Sequence, residues 1–282
     1  MRGNYGAGPC AYPEGRRPSA AYVGLMQSEQ VVTQAPEVEP AAASPAVIGR
    51  DLIKTYGEGP TRVDALRGVD VELGAGTFTS IMGPSGSGKS TLLHILAGLE
   101  QPTSGSVEIA GTRLDRLSDR ELTLLRRNSI GFVFQSYNLL PVLSAEENIT
   151  LPVKIGNGSV DQDWLETLIS SMGLGGRRNH RPGEMSGGEQ QRVAVARALI
   201  TNPAVVFADE PTGNLDSEAG KEILDLLRHA VDQLGQTIAM VTHDPGAAAV
   251  GDRTLFLADG RLVEERAGLS VEGILDCLKA LR

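Results

Sequence analysis

The chain has 282 residues, of which 41% are hydrophobic and 22% are charged, and its formal net charge is −9. This composition suits one sizeable hydrophobic core, and the negative charge argues against a nucleic-acid-binding protein, which normally carries a basic face. The two cysteines, Cys10 and Cys277, stand at opposite ends and predict neither a disulfide framework nor a metal cluster, in keeping with a reducing cytoplasmic compartment. No run of about 18 apolar residues occurs, so we expect any role at a membrane to require a partner chain.

The N-terminal segment, residues 1–46, is rich in glycine, proline and alanine and shows neither a helical nor a strand period. Such a composition predicts a disordered tail. From Val47 onward the pattern changes to short apolar strands, and the strand predicted at 77–82 runs directly into a glycine-rich loop. The residues after this loop, 90–99, are apolar on nearly all sides and predict a buried helix.

A small helical insert is predicted at about residues 138–185. Ser144 followed by Glu147 is the pattern of a helix capping box, and the apolar spacing within 161–174 is helical. Outside the insert, strands and helices alternate, which favours an α/β fold. The other predicted elements are strands at 130–134, 204–209 and 237–243, a helix at 221–234, a hairpin at 254–264 and a short C-terminal helix within 267–282.

The stretch GPSGSGKS, residues 83–90, satisfies the pattern G-x-x-x-x-G-K-[ST] of a nucleotide phosphate loop. Glycines let the backbone curl so that its N–H groups point at phosphate oxygens, and Lys89 adds a positive charge between the β- and γ-phosphates. The Ser90 hydroxyl is a hard oxygen ligand of the kind that Mg²⁺ prefers. The strand before the loop and the helix after it distinguish this motif from a chance glycine-rich turn. The predicted ATP-binding residues here are Gly83, Pro84, Ser85, Gly86, Ser87, Gly88, Lys89, Ser90 and Thr91.

An acidic pair, Asp209 and Glu210, stands at the end of a predicted buried strand. Because ligands of open α/β sheets bind at the carboxyl ends of the strands, we expect Asp209 to hold Mg²⁺ and Glu210 to polarise the attacking water. His243 ends the next predicted strand, where its imidazole can hydrogen-bond the γ-phosphate and the water. His94 lacks this context and is predicted to pack on the buried helix.

A second glycine-containing stretch, MSGGEQQRVAVARAL at 185–199, also has the features of a phosphate site: a serine, two glycines and then a helical run. No lysine follows the glycines to meet a phosphate. An ordinary interpretation is that Ser186 caps a buried helix. Taken alone, these residues leave open why one chain carries two such loops for one nucleotide.

These motifs, and the order in which they occur along the chain, resemble those of the ATP-binding subunits of ABC transporters. The resemblance covers about residues 48–264. The resemblance implies a P-loop NTPase fold with a mainly parallel RecA-like core, an antiparallel β subdomain and a helical subdomain. It also implies ATP hydrolysis, ATP and Mg²⁺ as ligands, and a homodimer in which two chains pack head to tail around two ATP molecules. The signature of one chain, residues 186–190, then meets the γ-phosphate held by the other, which explains the second loop.

The resemblance also implies roles for individual residues. Tyr56 stacks on the adenine, and Gln135 reaches the Mg²⁺ and the water and reports the nucleotide state to the transmembrane partner. Asp216 lies at the seam between the two chains, and it can also cap the helix that follows. Glu189 stands where Gln is commoner and places a negative charge near ATP, while Met185 replaces Leu at similar volume. The implied catalytic set is Glu210, His243, Lys89 and Gln135, the metal set is Ser90, Gln135 and Asp209, and the signature is Ser186, Gly187, Gly188, Glu189 and Gln190.

Three phrases, at 139–153, 180–199 and 207–216, are similar to the lipoprotein-release, macrolide-export and cell-division group of these subunits. That similarity implies a permease on a separate chain, a groove after Gln135 that receives its coupling element, and a place on the cytoplasmic face of the cell membrane. The cargo is chosen by the permease and is not readable from this chain.

Three alternatives remain at this stage. The ATPase can regulate a cell-wall or division enzyme through a permease-like partner without transport. A soluble ABC-type protein of translation or DNA repair fits less well, because such proteins carry two domains in tandem or a long coiled coil. A plain P-loop kinase fits least, because it lacks the ordered signature, Gln135 and His243.

Overall fold

The computed structural model describes residues 45–281. Its strands are β1 (Pro45–Tyr56), β2 (Val63–Gly74), β3 (Phe78–Met82), β4 (Ser104–Ile109), β5 (Thr112–Arg113), β6 (Ile130–Phe134), β7 (Val205–Asp209), β8 (Ile238–Val241), β9 (Arg253–Ala258) and β10 (Arg261–Ala267). Its α-helices are α1 (Lys89–Leu96), α2 (Asp119–Ser129), α3 (Ala145–Ile155), α4 (Gln162–Ser171), α5 (Gly187–Leu199), α6 (Ser217–Leu234), α7 (Pro245–Ala248) and α8 (Val271–Ala280).

The central sheet has the strand order β10-β9-β3-β8-β7-β6 and is parallel except for the edge hairpin of β9 and β10. Both of its faces are covered. In β7, for example, Val205 and Phe207 belong to the core on one side, whereas Val206 and Ala208 belong to the core on the other. Two-sided burial explains why this strand is continuously apolar and has no alternating pattern.

An antiparallel sheet, with the order β2-β1-β4-β5, covers one face of the central sheet together with α1. The helix is apolar on several sides because it is packed between elements: Leu92, Leu93, Ile95 and Leu96 are all buried. Helix α1 begins at Lys89, directly after the last glycine of the loop. It is fixed because its apolar residues pack in a core that both sheets share.

The other face of the central sheet is covered by α3 to α6. Helix α3 begins with the predicted capping box, in which Ser144 Oγ accepts from the Glu147 N–H and the Glu147 carboxylate accepts from the Ser144 N–H. Helix α4 is joined to α5 by Trp164, whose indole Nε1 donates to the Leu199 carbonyl at 3.1 Å. Apolar residues of α3, α4 and α5 share one core with the central sheet.

The α/β architecture agrees with the sequence prediction, and the differences are local. Pro45 and Ala46, which we assigned to the tail, begin β1: Pro45 pairs with Gly74 and Ala46 is buried. Proline has no N–H to donate to a strand ladder, but it is tolerated at the first position of a strand. The proline-rich composition therefore led us to place the start of the fold too late. Helix α2 was not predicted, although Ser118 and Glu121 form a capping box at its start. Residues 1–44 of the predicted tail lie outside the described residues.

The predicted helix at 221–234 starts earlier, at Ser217, because Asp216 caps it by accepting from the N–H groups of Glu218 and Ala219. Within residues 45–281, no helix is both long and apolar enough to cross a bilayer.

Leu168 tests whether the α3–α5 region and the central sheet unfold together, because its side chain is fully buried in their shared core. We expect Leu168→Ala to lower the free energy of unfolding by about 2–5 kcal/mol, through lost burial and a cavity. Ser170→Ala, an exposed neighbour on the same helix, is the control and should change it by less than about 0.5 kcal/mol. Chemical denaturation followed by circular dichroism measures both, and an early separate transition in the Leu168 variant would contradict the shared core.

Candidate functional site

The glycine-rich loop between β3 and α1 is held in close contact with both sheets. A Cβ atom on Gly83 would lie 2.0 Å from the Leu257 carbonyl oxygen, and one on Gly88 would lie 2.4 Å from that of Ala65. Both glycines have positive φ, at 149° and 100°, so a side chain is excluded by conformation as well as by space. Glycine at these two positions therefore lets the loop curl tightly against the strands.

Lys89 begins α1 and folds back over the loop, where its Nζ donates to the carbonyls of Gly83 and Pro84 at 2.9 Å. Burial lowers the pKa of Lys89, while the carboxylates of Glu210 and Asp209 act in the opposite direction. The hydroxyl of Ser87 is buried and has no hydrogen-bond partner within residues 45–281. An ammonium group, the exposed N–H groups of a helix start and an unpartnered hydroxyl together suit a bound phosphate chain.

Ser90 and Asp209 are brought together from α1 and the end of β7, with the serine Oγ 3.4 Å from the Asp209 Oδ1. Burial raises the pKa of Asp209. A hydroxyl and a carboxylate oxygen are hard ligands, and Mg²⁺ in nucleotide sites takes only one or two such protein ligands beside phosphates and waters. These two residues therefore fit the predicted metal role.

Glu210 and His243 form a hydrogen bond across the ends of β7 and β8, with His243 Nδ1 2.8 Å from Glu210 Oε1. The Glu210 side chain is 19% exposed, whereas that of His243 is 76% exposed. Glu210 adopts a left-handed conformation, with φ at 49°, which is uncommon for a residue with a side chain. The carboxylate is thus held in a fixed direction beside Asp209, and the imidazole faces solvent beside it.

Gln135 does not join Ser90 and Asp209 by any hydrogen bond. The side-chain amide of Gln135 donates to Asn214 Oδ1 at 3.0 Å, and the backbone carbonyl of Gln135 accepts from Asn214 Nδ2 at 3.0 Å. The side chain also lies over Gly213, where a Cβ would be 2.8 Å from its Nε2. The described structure therefore links Gln135 to the segment just before Asp216, and its predicted metal role stays a prediction.

The signature residues form the start of α5. Ser186 is the N-cap: its Oγ accepts from the Glu189 N–H at 3.2 Å, and the Glu189 carboxylate accepts from the Ser186 N–H at 2.8 Å. Gly187 packs so closely on Tyr137 that a Cβ would lie 2.8 Å from the phenolic oxygen. The capping interpretation and the ligand interpretation of Ser186 are compatible, because capping uses one N–H and leaves the other amides of the first turn free.

The signature faces a cavity of about 380 Å³ that it shares with the Asp216 segment. None of the described residues 83–91 lines this cavity; its lining comes from α5, from the loop after Gly213 and from the start of α6. Within one chain, the signature and the phosphate loop thus form two separate surfaces.

The comparisons agree with this geometry. A family model described as ABC transporter matches residues 66–213. An uncharacterised ABC transporter ATP-binding protein of Thermotoga maritima is 48% identical over 214 residues, which cover 75% of this chain and 91% of that protein. The lipoprotein-releasing system ATP-binding protein LolD of Bordetella avium is 46% identical over 220 residues, covering 77% and 96%.

The chain belongs to the ABC transporter family. The macrolide export ATP-binding/permease protein MacB of Marinobacter nauticus is 46% identical over 223 residues, and this chain spans about a third of the length of such relatives, 34% in that case. A solved dimeric structure of the ATP-binding cassette MJ0796 of Methanocaldococcus jannaschii, bound to ADP and Pi, superposes with a TM-score of 0.72 at 41% identity. The match covers 79% of this chain and 99% of that one. The fold is therefore that of an ABC ATP-binding domain.

One residue of this ABC domain lies at the site but was not predicted there. His94, predicted to pack within the helix core, is only half-buried and its Nε2 lies 3.8 Å from Asp209 Oδ2. It follows Ser90 by four positions, which puts both side chains on one face of α1, and this spacing was the available signal. Asn214 lies within the phrase 207–216 that carries the family similarity, but its pairing with Gln135 has no comparable local signal.

The adenine role of Tyr56 and the seam role of Asp216 stay predictions, and the structure gives the local geometry of both residues. Tyr56 ends β1, is 39% exposed, and its hydroxyl donates to Glu100 at 2.7 Å. The Lys54 Nζ lies 5.0 Å from the centre of the Tyr56 ring. Asp216 caps α6 beside the signature cavity, so it can serve both as a cap and as a seam residue.

Proposed function

We propose that this ABC domain hydrolyses ATP as a head-to-tail homodimer and thereby drives a membrane permease. The observation that carries the proposal is the separation of the signature surface from the phosphate loop, each of which offers half of a phosphate site. A second copy, turned head to tail, completes both halves at once.

In the catalytic step, Glu210 accepts a proton from the water that attacks the γ-phosphate. The hydrogen bond to His243 orients the carboxylate. The other edge of the imidazole remains free to bind the same phosphate. Phosphoryl transfer needs mainly positioning and charge neutralisation, so Lys89 and the loop amides supply most of the remaining stabilisation. Ser90 and Asp209, with Gln135 as the third predicted ligand, would hold a Mg²⁺ ion, which would supply neutralisation of the phosphate charge.

The dimer supports a cycle in which ATP joins the chains and hydrolysis releases them. In each site, Ser186, Gly187 and Gly188 of one copy bind the γ-phosphate through the partial positive charge of the α5 N-terminus. Loss of that phosphate removes the contact, so ATP favours the closed state and ADP does not. A ligand shifts such an equilibrium only through its difference in affinity for the two states, and the γ-phosphate provides that difference.

The partner that we propose is an integral membrane permease of the lipoprotein-release, macrolide-export or cell-division type, carried on a separate chain. No nucleic-acid partner is proposed. The chain would then work on the cytoplasmic face of the membrane, bound through the permease. Regulation of a cell-wall or division enzyme through the same kind of partner is the second candidate, because both use one ATPase cycle and differ only in the permease.

A groove of about 280 Å³ between α2, β6, α3 and α5 supports this partner. It is lined by three arginines, Arg126, Arg127 and Arg197, beside the apolar surface of Phe134 and Pro152. Arg197 is half-buried, and it donates to the backbone carbonyls of the two residues before Leu139, which follow Gln135 closely. Within residues 45–281 these guanidinium groups form no ion pair with a carboxylate. We therefore propose an acidic, amphipathic cytoplasmic segment of the permease as the occupant.

Glu210→Gln tests the catalytic assignment. The amide cannot accept the proton, so turnover should fall by roughly 100- to 10,000-fold, the usual contribution of a general base. ATP-dependent dimers should persist, because phosphate binding is intact. Glu272→Gln, at an exposed position of α8, is the matched control and should turn over normally. Steady-state phosphate release and gel filtration with ATP measure the two properties; normal hydrolysis by the Glu210 variant would remove Glu210 from the mechanism.

Mixed dimers test the sharing of sites. A Lys89→Ala chain keeps its signature and a Ser186→Ala chain keeps its phosphate loop, so their heterodimer retains one intact composite site. We expect phosphate release well above that of either homodimer. Lys89→Ala mixed with a chain that carries both substitutions has no intact site and is the control. Equal activity of the two mixtures, with heterodimers demonstrated, would show that the signature does not act on the partner's nucleotide.

Charge reversal tests the groove. Arg127→Glu should abolish co-purification of the native membrane partner while the isolated chain still forms ATP-dependent dimers, because a carboxylate now faces an acidic segment. Arg120→Glu makes the same charge change at an exposed position of the same helix, outside the groove lining, and should retain the partner. Retention of the partner by both variants would place the docking surface elsewhere.

A further inference from the structure

Glu189 is a negative charge in the first turn of the helix that is expected to meet a phosphate. It is the third residue of α5, and the cap residue Ser186 donates its N–H to Glu189 Oε2 at 2.8 Å. The side chain is only 15% exposed. A carboxylate at this position stabilises the helix but also offsets the partial positive charge of the N-terminus. An uncompensated Glu189 would therefore weaken the attraction of the signature for an anion.

Arg177 compensates this charge in the described structure. It ends the short 3₁₀ turn Gly175–Arg177, and its Nε donates to Glu189 Oε1 at 2.7 Å. The two carboxylate oxygens thus have different partners, the cap N–H on one and the guanidinium on the other. The pairing with Arg177 lowers the pKa of Glu189, so the group is ionised and paired.

The other charged groups around this pair do not replace Arg177. His180 Nε2 lies 3.4 Å from Arg177 Nη1, a different nitrogen from the Nε that donates to Glu189. The adjacent Arg178 is turned to α3 and α4, where it forms ion pairs with Glu146 at 2.7 Å and Glu166 at 2.8 Å. Neighbouring arginines in one turn thus have separate partners, one at the signature and one in the helical region.

We propose that Arg177 is a positioning residue of the signature: it neutralises Glu189 and so keeps the N-terminus of α5 attractive to the γ-phosphate bound by a second copy of the chain. This inference rests on the proposed head-to-tail dimer. Arg177 acts through Glu189 and does not itself touch the nucleotide.

The test separates ATP binding by one chain from ATP-dependent closure of two, in the Glu210→Gln background where closed dimers accumulate. In Arg177→Met, the ATP concentration for half-maximal dimerisation should rise by about 3- to 30-fold, the range for one charge at a helix terminus. ATP affinity measured at chain concentrations too low for dimers should not change, because the monomer's phosphate loop is untouched. Arg177→Lys keeps the charge and should recover much of the loss.

A double substitution distinguishes neutralisation from a structural role. Glu189→Gln keeps an acceptor for the Ser186 N–H and removes the charge, so adding Arg177→Met to it should cause no further change in dimerisation. Arg178→Met is the matched control: it should lower the free energy of unfolding without changing the ATP dependence of dimerisation.

Two results would overturn the inference while leaving the proposed dimer in place. One is a dimerisation defect of equal size for Arg177→Met with and without Glu189→Gln, and the other is no defect in a variant that folds normally. Failure of the Glu210→Gln chain itself to dimerise with ATP would remove the proposed dimer and this inference with it. Normal dimerisation that is insensitive to Arg177 would remove the inference alone.

Discussion

The phosphate loop is clamped between two sheets by contacts that admit no side chain, and the rest of the site depends on this constraint. Gly83 lies against the Leu257 carbonyl of β9, and Gly88 lies against the Ala65 carbonyl of β2. The clamp is closed by a backbone bond from the Gly260 N–H to the Ser87 carbonyl at 3.1 Å. These contacts hold the loop against both sheets and so position the N-terminus of α1 beside the carboxyl ends of β7 and β8. Preorganised amides and charges of this kind need no rearrangement when a phosphate arrives.

A second fixed connection joins the signature helix to the catalytic strands. Gln191 of α5 is fully buried, and its side-chain amide donates to the carbonyls of Phe134 at 3.3 Å and Pro211 at 2.5 Å. Phe134 ends β6 just before Gln135, and Pro211 follows Glu210. One amide therefore ties the helix that carries the signature to both strand ends beside the phosphate loop. Such a buried bond is costly to break, so it stabilises the position of α5 relative to Gln135 and Glu210.

The residues that sequence could place are those whose position follows from a local motif and a strand end. The phosphate loop, Asp209, Glu210 and His243 converge because parallel strands of one sheet end at the same edge. The fold class and the α3 capping box follow from local patterns in the same way. His94, Asn214 and Arg177 are different: their partners are 115, 79 and 12 positions away along the chain. The spacing of Ser90 and His94 places both side chains on one face of α1, but no local pattern specifies the partners of these three residues. Arg177 and Arg178 stand in a basic run, residues 177–181, and both form ion pairs with carboxylates outside that run.

The backbone at Glu210 shows that the site is built at a cost to stability. Its φ of 49° lies in the left-handed region, where a residue with a Cβ is disfavoured by about 1 kcal/mol or more. Glycine or asparagine would adopt this conformation more easily, but neither can accept a proton from water at neutral pH. The conformation is held by bonds on both sides, from the Glu210 N–H to the Val241 carbonyl at 2.9 Å and from the Gly213 N–H to the Glu210 carbonyl at 3.0 Å. The same turn directs the side chain to His243 and the next residues to Gln191. Folding alone would favour glycine at this position. A glutamate held there in a strained backbone conformation is therefore better explained by a catalytic requirement.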